Sequence, residues 1–374
     1  MVVRTQGPAP GDPAVQVVDD SGSIVTSVQE FLGLLTLRAY SPNTVRAYAH
    51  DLAKLHTFLE ERGLTVSDFR PRTAVAFVQW LRTRPVAGRA QRLGLSLTDA
   101  NGRQLSARSC NRTLAAVSSY FEFLITMDAY DAPENPIIKV TDTAAARVHG
   151  RYRPPLSTGK SQRPVRRALR VKTIDVLPRP LSMAVYQQLL DATTCQRDRA
   201  ILELMFEGGL RPGEVLGLHL GDVAYGRRRV VVRHRGDHPG GARQKSRRER
   251  VVDLWEDRAL PATNAYVMHE RPDDIETPFL FLVGRGPRRG QPLSYDALVR
   301  AFTRAAQRAG VDSPWMTPHA LRHTHATRMF EGGMRELTLM KRLGHASPDS
   351  LAIYTRVSDP EVLKDYRAVM GGQA

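Results

Sequence analysis

Apolar positions recur at helical spacing early in the chain, first at Val28, Phe31, Leu32 and Leu35, then at Val45, Tyr48, Leu52, Leu55 and Leu59. Ser41-Pro42 lies between them, a capping residue followed by a first-turn proline, so two amphipathic helices are predicted. A third carries Phe77, Val78 and Leu81 beside Trp80, and a fourth carries Leu114, Val117, Phe121 and Leu124 after a polar start at Ser106. The pattern predicts an all-helical domain over 24–140. Residues 1–23 are rich in Gly, Pro, Ala and Asp without periodicity, which predicts a disordered tail.

The second half mixes periods. A helix over Ile201, Leu204 and Met205 runs into Gly208-Gly209. The β-branched run Val230-Val231-Val232 and the segment Arg250-Val251-Val252-Asp253-Leu254 then read as two strands of a hairpin with a basic tip. Phe279-Leu280-Phe281-Leu282 reads as a short buried strand. Ser294 caps a helix with Leu298, Phe302 and Ala305 that Gly310 ends. The fold class expected is mainly α with a small β-hairpin or sheet, in two domains: 24–140 and 181–374.

Between Arg147 and Lys172 there are nine basic residues, several prolines and no acidic residue. The stretch 141–180 therefore reads as a basic interdomain linker, either a solvated tether or a segment lying along DNA phosphates. Charge points the same way across the chain: 54 Lys and Arg against 38 Asp and Glu give a net +16, which attracts a polyanion. Cys110 and Cys195 are the only cysteines, which argues against a disulfide framework or a cysteine-built zinc site and fits a reducing cytoplasm. No apolar run has the length of a membrane span, and no signal-peptide core follows Arg4. No membrane partner is expected.

Three segments carry candidate chemistry. Thr317-Pro318 opens a helix on which His319 and Arg322, three residues apart, share a face near the positive end of the helix dipole. That combination suits an anion such as phosphate, although the same pair also fits a solvated helix face. Gly209-Leu210-Arg211-Pro212-Gly213-Glu214 places an arginine at a turn between helices, with Glu214 three residues on. Leu343-Gly344-His345 ends a helix, Ser347-Pro348 opens the next, and Tyr354 follows nine residues after His345. His319 and His323 have zinc-ligand spacing, but no Glu follows the first and no third ligand is evident, so no metal is expected.

Together, Gly-Leu-Arg-x-x-Glu at 209–214, His-x-x-Arg-His at 319–323, and Leu-Gly-His with Tyr nine residues later resemble the signature boxes of the tyrosine recombinase, or phage integrase, family. The resemblance covers 182–358 by motif, and the helical segment is similar to that family's SAM-like core-binding domain. It implies a catalytic set of Arg211, Lys245, His319, Arg322, His345 and Tyr354. Two arginine forks hold the charge that builds on a phosphate under attack. Tyr354 is the nucleophile, His319 the base, His345 a hydrogen-bond support, and Lys245 the proton donor to the departing oxygen. In the family's hairpin pattern Ser246 and Asp253 replace the usual glycine and proline, and Arg243, Arg247 and Arg250 are rivals to Lys245 that read more readily as phosphate contacts. Glu214 reads as the anchor of the arginine turn, and His323 as a buttress of its helix.

The function implied is site-specific recombination: integration, excision or resolution of DNA through a 3′-phosphotyrosyl intermediate. The expected partners are double-stranded DNA, further copies of the chain forming a tetramer on two DNA sites, and accessory DNA-bending proteins. The segment beyond Tyr354 either docks on a neighbouring subunit or folds back on its own domain. Two other readings share the fold, a catalytically silent DNA-binding accessory protein and a monomeric type IB topoisomerase-like enzyme. A Tyr354-dependent covalent adduct separates the first from an enzyme.

Overall fold

Ser41 and Pro42 act as their residue types require: the Ser41 hydroxyl accepts from the Thr44 N–H, and Pro42 begins helix α2, Pro42–Glu60, after α1, Thr26–Leu37. Helices α3, Pro71–Thr83, and α4, Ala107–Thr126, complete the predicted set, with Ser106 capping α4. Their apolar faces meet in one aromatic-rich core, in which Phe69 stacks on Phe121 and Phe58 meets Phe77 and Trp80 edge-on. In this computed structural model the described residues are 1–5, 15–84, 104–141, 165–173, 179–236, 238–239, 249–313 and 315–344. The chain divides into two units, Met1–Asp175 and Val176–Ala374.

The first unit departs from the sequence reading in two places. Strands β1, Val2–Thr5, and β2, Val15–Val18, pair antiparallel, and Val15, Val17 and Val18 are buried. The described parts of 1–23 are therefore a packed hairpin rather than a disordered tail. Two four-residue valine-rich runs are too short to raise a period above the surrounding Gly and Pro. The expected linker is also partly folded. Strand β3, Lys139–Thr141, pairs with β4, Val165–Arg167, and Leu169 and Val171 pack on the first core. The Asn111 amide clasps Val171 at both backbone groups, at 2.8 and 2.9 Å. Two apolar residues among many arginines, the strand pair and the Asn111 bonds together dock this part of the chain.

The second unit is built around α6, Gln196–Glu207, in which every residue from Ala200 to Glu207 is buried. Helices α5, Met183–Asp191, and α8, Ala259–His269, surround it with α9, Tyr295–Arg308, and α10, Pro318–Glu331. The short α7, Pro212–Leu216, follows α6, and α11, Glu336–Leu343, follows α10. The expected hairpin is present. Strands β5, Val223–Ala224, β6, Arg229–Val232, and β7, Arg250–Asp253, form an antiparallel sheet in that order, with Val230 opposite Val252. Phe279 to Leu282 is buried but makes only single bridges, His219 to Phe279 and Leu282 to Pro292, instead of a strand. Cys195 lies at the N-cap of α6, one residue outside the helix, and both cysteines are free thiols. Among the described residues no helix is long and apolar enough to cross a membrane.

Candidate active site

The carboxyl end of α6 creates the first half of the site. Gly208 ends the helix, Gly209 takes φ +62°, and Leu210 is buried, which turns the chain so that Arg211 becomes the N-cap of α7. A Cβ on Gly209 would lie 2.4 Å from the His325 ring, so both the backbone angle and the space exclude a side chain there. Glu214, in the first turn of α7, reaches back: its Oε2 accepts from the Arg211 backbone N–H at 2.8 Å, and its Oε1 accepts from Arg211 Nη1 at 2.7 Å.

Glu214 is fully buried and binds more than its own turn. Arg250 of β7 donates to both carboxylate oxygens, from Nη1 at 2.9 Å and from Nη2 at 2.7 Å, and Arg322 Nη1 of α10 lies 3.7 Å from Oε2. Burial alone would raise the pKa of this carboxyl. The Arg250 hydrogen bonds and the charges of Arg250, Arg322 and Arg211 outweigh it and hold the group at about 2. Three guanidiniums thus share one carboxylate, and the cluster keeps an excess of positive charge in a low-dielectric setting, where a bound anion is attracted more strongly than in water.

The same three arginines also meet the end of α11. A helix leaves its last carbonyls unpaired and carries partial negative charge there. The carbonyl of Arg342 accepts from Arg250 Nε at 2.9 Å, that of Leu343 from Arg322 Nη2 at 2.6 Å, and that of Gly344 from Arg211 Nη2 at 3.4 Å. Three consecutive carbonyls therefore each receive one guanidinium. Arg322 is aimed from the other side by the Gly209 carbonyl, which accepts from Nη1 at 2.6 Å. Gly344, at φ +63°, leaves room for Arg250, whose Nη1 would lie 2.8 Å from an added Cβ. Each guanidinium carries five N–H donors in a planar fork, so bonds to protein acceptors fix the plane that meets a phosphate.

His319 stands exposed in the first turn of α10, one turn before the buried Arg322, as the spacing predicts. His323 is half-buried, and burial, with the Arg322 charge adding to it, lowers its pKa. Arg211 and Arg322 are thus brought together and His319 lies on the adjoining helical turn. Lys245, His345 and Tyr354 lie outside the described residues, although Gly344, which immediately precedes His345, is bonded to Arg211.

Comparison with known proteins places this geometry. The model described as "Phage integrase family" matches residues 180–361, and "Phage integrase, N-terminal SAM-like domain" matches 28–127. Tyrosine recombinase XerD of Mycobacterium tuberculosis is 31% identical over 90% of this chain and 94% of the relative. The chain belongs to the phage integrase family. Transposase A from transposon Tn554 of Staphylococcus aureus is 29% identical over 95% of this chain and 93% of its own length. Among solved structures, the Tn1549 transposon integrase in complex with transposon right end DNA shares the fold, with a TM-score of 0.61 and 17% identity over 92% of this chain and 99% of that one.

Within this phage integrase fold, sequence reasoning misplaced one residue and missed two. Arg250 was expected along DNA phosphates, but it is buried against Glu214 and the end of α11. Alternation in β7 puts it on the face of the buried Val252, opposite the exposed Val251, and that inward face meets α7 and the end of α11. His325 and Arg342, bonded to each other beneath the arginines, carried no motif signal. The one available hint was a second histidine two residues after His323 on the buried face of α10. Trp80 is packed on Phe58 and Phe77 with its indole N–H donated to Glu61, a structural role.

Proposed function

We propose that this chain is a site-specific DNA recombinase that cleaves and rejoins strands through a covalent bond between Tyr354 and a 3′ phosphate. The observation that supports it most is the convergence of Arg211 and Arg322 on Glu214 and on the carbonyls of residues 343 and 344, immediately before His345. The two forks hold the nonbridging oxygens of the scissile phosphate, where negative charge grows as the nucleophile attacks. Tyr354 Oη forms a bond to phosphorus while the bond from phosphorus to the 5′ oxygen breaks. A tyrosine hydroxyl ordinarily titrates near ~10, so His319 accepts its proton, and His345 supports the phosphate. Lys245 protonates the leaving 5′ oxygen. Reversal by a 5′ hydroxyl of a second strand restores the phosphodiester, and because the phosphotyrosine conserves the bond energy no cofactor enters.

The basic surplus of +16 suits a duplex partner in the cytoplasm. Residues 24–140 and 181–374 act as the core-binding and catalytic domains. Exchange between two sites requires four strand cuts, hence four subunits, with DNA-bending proteins assisting where a site must be looped. The test is an SDS-resistant adduct trapped on a library of nicked duplexes and then sequenced. The wild-type protein forms it, and Tyr354→Phe binds the same DNA without forming it. An undiminished adduct from Tyr354→Phe moves the nucleophile elsewhere.

A further inference from the structure

Beneath the three arginines lies a second layer of side chains that the reaction as proposed does not use. His325 of α10 is fully buried. Its Nδ1 is 2.8 Å from the Phe206 carbonyl in the last turn of α6, and its Nε2 accepts from Arg342 Nε at 3.0 Å. Arg342 also donates to the Glu207 carbonyl at 3.1 Å and the Asp253 carbonyl at 3.2 Å. An arginine can only donate, so His325 Nε2 carries no hydrogen and Nδ1 must, which makes the Phe206 carbonyl an acceptor. Both ring nitrogens are thereby assigned by geometry. Burial, reinforced by the charge of Arg342, keeps the ring neutral and pushes its pKa down to about 3.

The pair sits directly behind both acceptors that aim Arg322. The His325 ring occupies the space a side chain on Gly209 would fill, and the Gly209 carbonyl takes Arg322 Nη1. Arg342 is the residue before Leu343, whose carbonyl takes Arg322 Nη2. On the proposed recombinase reading, we infer that the His325–Arg342 pair is a positioning device for strand cleavage. It locks the end of α11 to the end of α6 so that Arg322, and Arg211 on the turn beyond Gly209, keep one geometry toward the phosphate. A displacement of about 1 Å at such a site costs on the order of a hundredfold in rate. The bond to Arg342 is the coupling element, because it ties α10 to α11 behind the Arg322–Leu343 bond, whereas the bond to Phe206 joins α10 to α6.

Three substitutions separate these bonds. His325→Gln puts an amide oxygen where Nε2 stands and keeps the acceptor for Arg342. His325→Asn puts an amide nitrogen where Nδ1 stands and keeps only the donor to Phe206, and His325→Phe keeps the volume and neither bond. On nicked duplex at saturating DNA, His325→Gln should form the Tyr354 adduct within about threefold of the wild-type rate. His325→Asn and His325→Phe should fall on the order of tenfold to a hundredfold, with the Kd for DNA within about twofold. Wild-type rates in His325→Phe, or rates that track Tm through all three variants whichever bond is kept, overturn the proposal. A measurement without substitution guards against misfolding: in the 15N spectrum of the wild-type protein His325 must be the Nδ1–H tautomer, unchanged between pH 5 and 8. An Nε2–H ring overturns the proposal by itself. Absence of any Tyr354-dependent adduct from the wild-type protein sinks the recombinase reading and this role with it, whereas a normal wild-type adduct beside an indifferent His325→Phe sinks the positioning role alone.

Discussion

Each unit of the molecule hides a carboxylate among cations, Asp51 in the first and Glu214 in the second, and these two are built to opposite ends. In the first unit Asp51 is buried and takes Arg112 Nε at 2.9 Å, Arg112 Nη2 at 3.0 Å, Lys54 Nζ at 2.6 Å and the Thr113 hydroxyl at 2.9 Å. Its cations remain wet: the Arg112 side chain is 55% exposed and that of Lys54 28%. In the second unit the side chains of Arg250 and Arg322 around Glu214 are only 7% and 5% exposed, and that of Arg211 17%. Water screens the first set and leaves its long side chains free to change partner, so Asp51 displays charge at a surface. The second set is held from several sides in a dry site, so its geometry is fixed before any ligand arrives. Asp51 is therefore a mounting for surface charge, and Glu214 an organiser of a rigid anion site.

The sharpest way to break the contrast is Glu214→Ala, which leaves three clustered guanidiniums without their shared counter-charge. Removing one partner of a buried ion pair typically costs about 3–5 kcal/mol, so the second unit should melt first, ahead of an unchanged first unit, and DNA cleavage should vanish. Two resolved calorimetric transitions would read this directly; a single unshifted transition contradicts it. Next in size is Gly209→Ala. The left-handed backbone costs an alanine about 1–2 kcal/mol, and the collision with His325 adds to that. Strand cleavage should fall about a hundredfold while DNA affinity holds, measured as adduct yield against a binding isotherm.

Acid probes both units together. His325 and His56 are both pushed below the ordinary 6.5, to about 3 and about 4, in each case chiefly by burial. A histidine that folds neutral takes up its proton more readily when unfolded, so stability is complete above pH 6.5 and falls as the pH drops toward 4. Glu214, held at about 2, adds a further loss below pH 4.5 with the same sign. Denaturant midpoints should therefore decline between pH 7 and 4.5 in both units, and His325→Gln should flatten the decline in the second unit alone. The smallest effect belongs to Arg112→Ala, an exposed partner whose loss should change stability by about 0–1 kcal/mol. If Arg112 touches a DNA phosphate, the slope of log affinity against log salt should shrink by about one, and an unchanged slope removes it from the interface.

Local signals in the chain determined the helices with hydroxyl caps at Ser41, Ser106 and Ser294, the hairpin between Arg229 and Asp253, and the family boxes that bring Arg211, His319 and Arg322 forward. All of these depend on residues a few positions apart, where periodicity and capping act. Tertiary structure alone decided that Glu214 serves arginines 36 and 108 residues downstream, and that His325 and Arg342 join α10 to α11. It also decided that Val15 and Val17 are buried rather than loose. The physical reason is common to these cases: periodicity tells which face of an element is apolar, but a buried charge or a four-residue strand takes its role from the partner it meets across the fold, and that partner is distant in sequence.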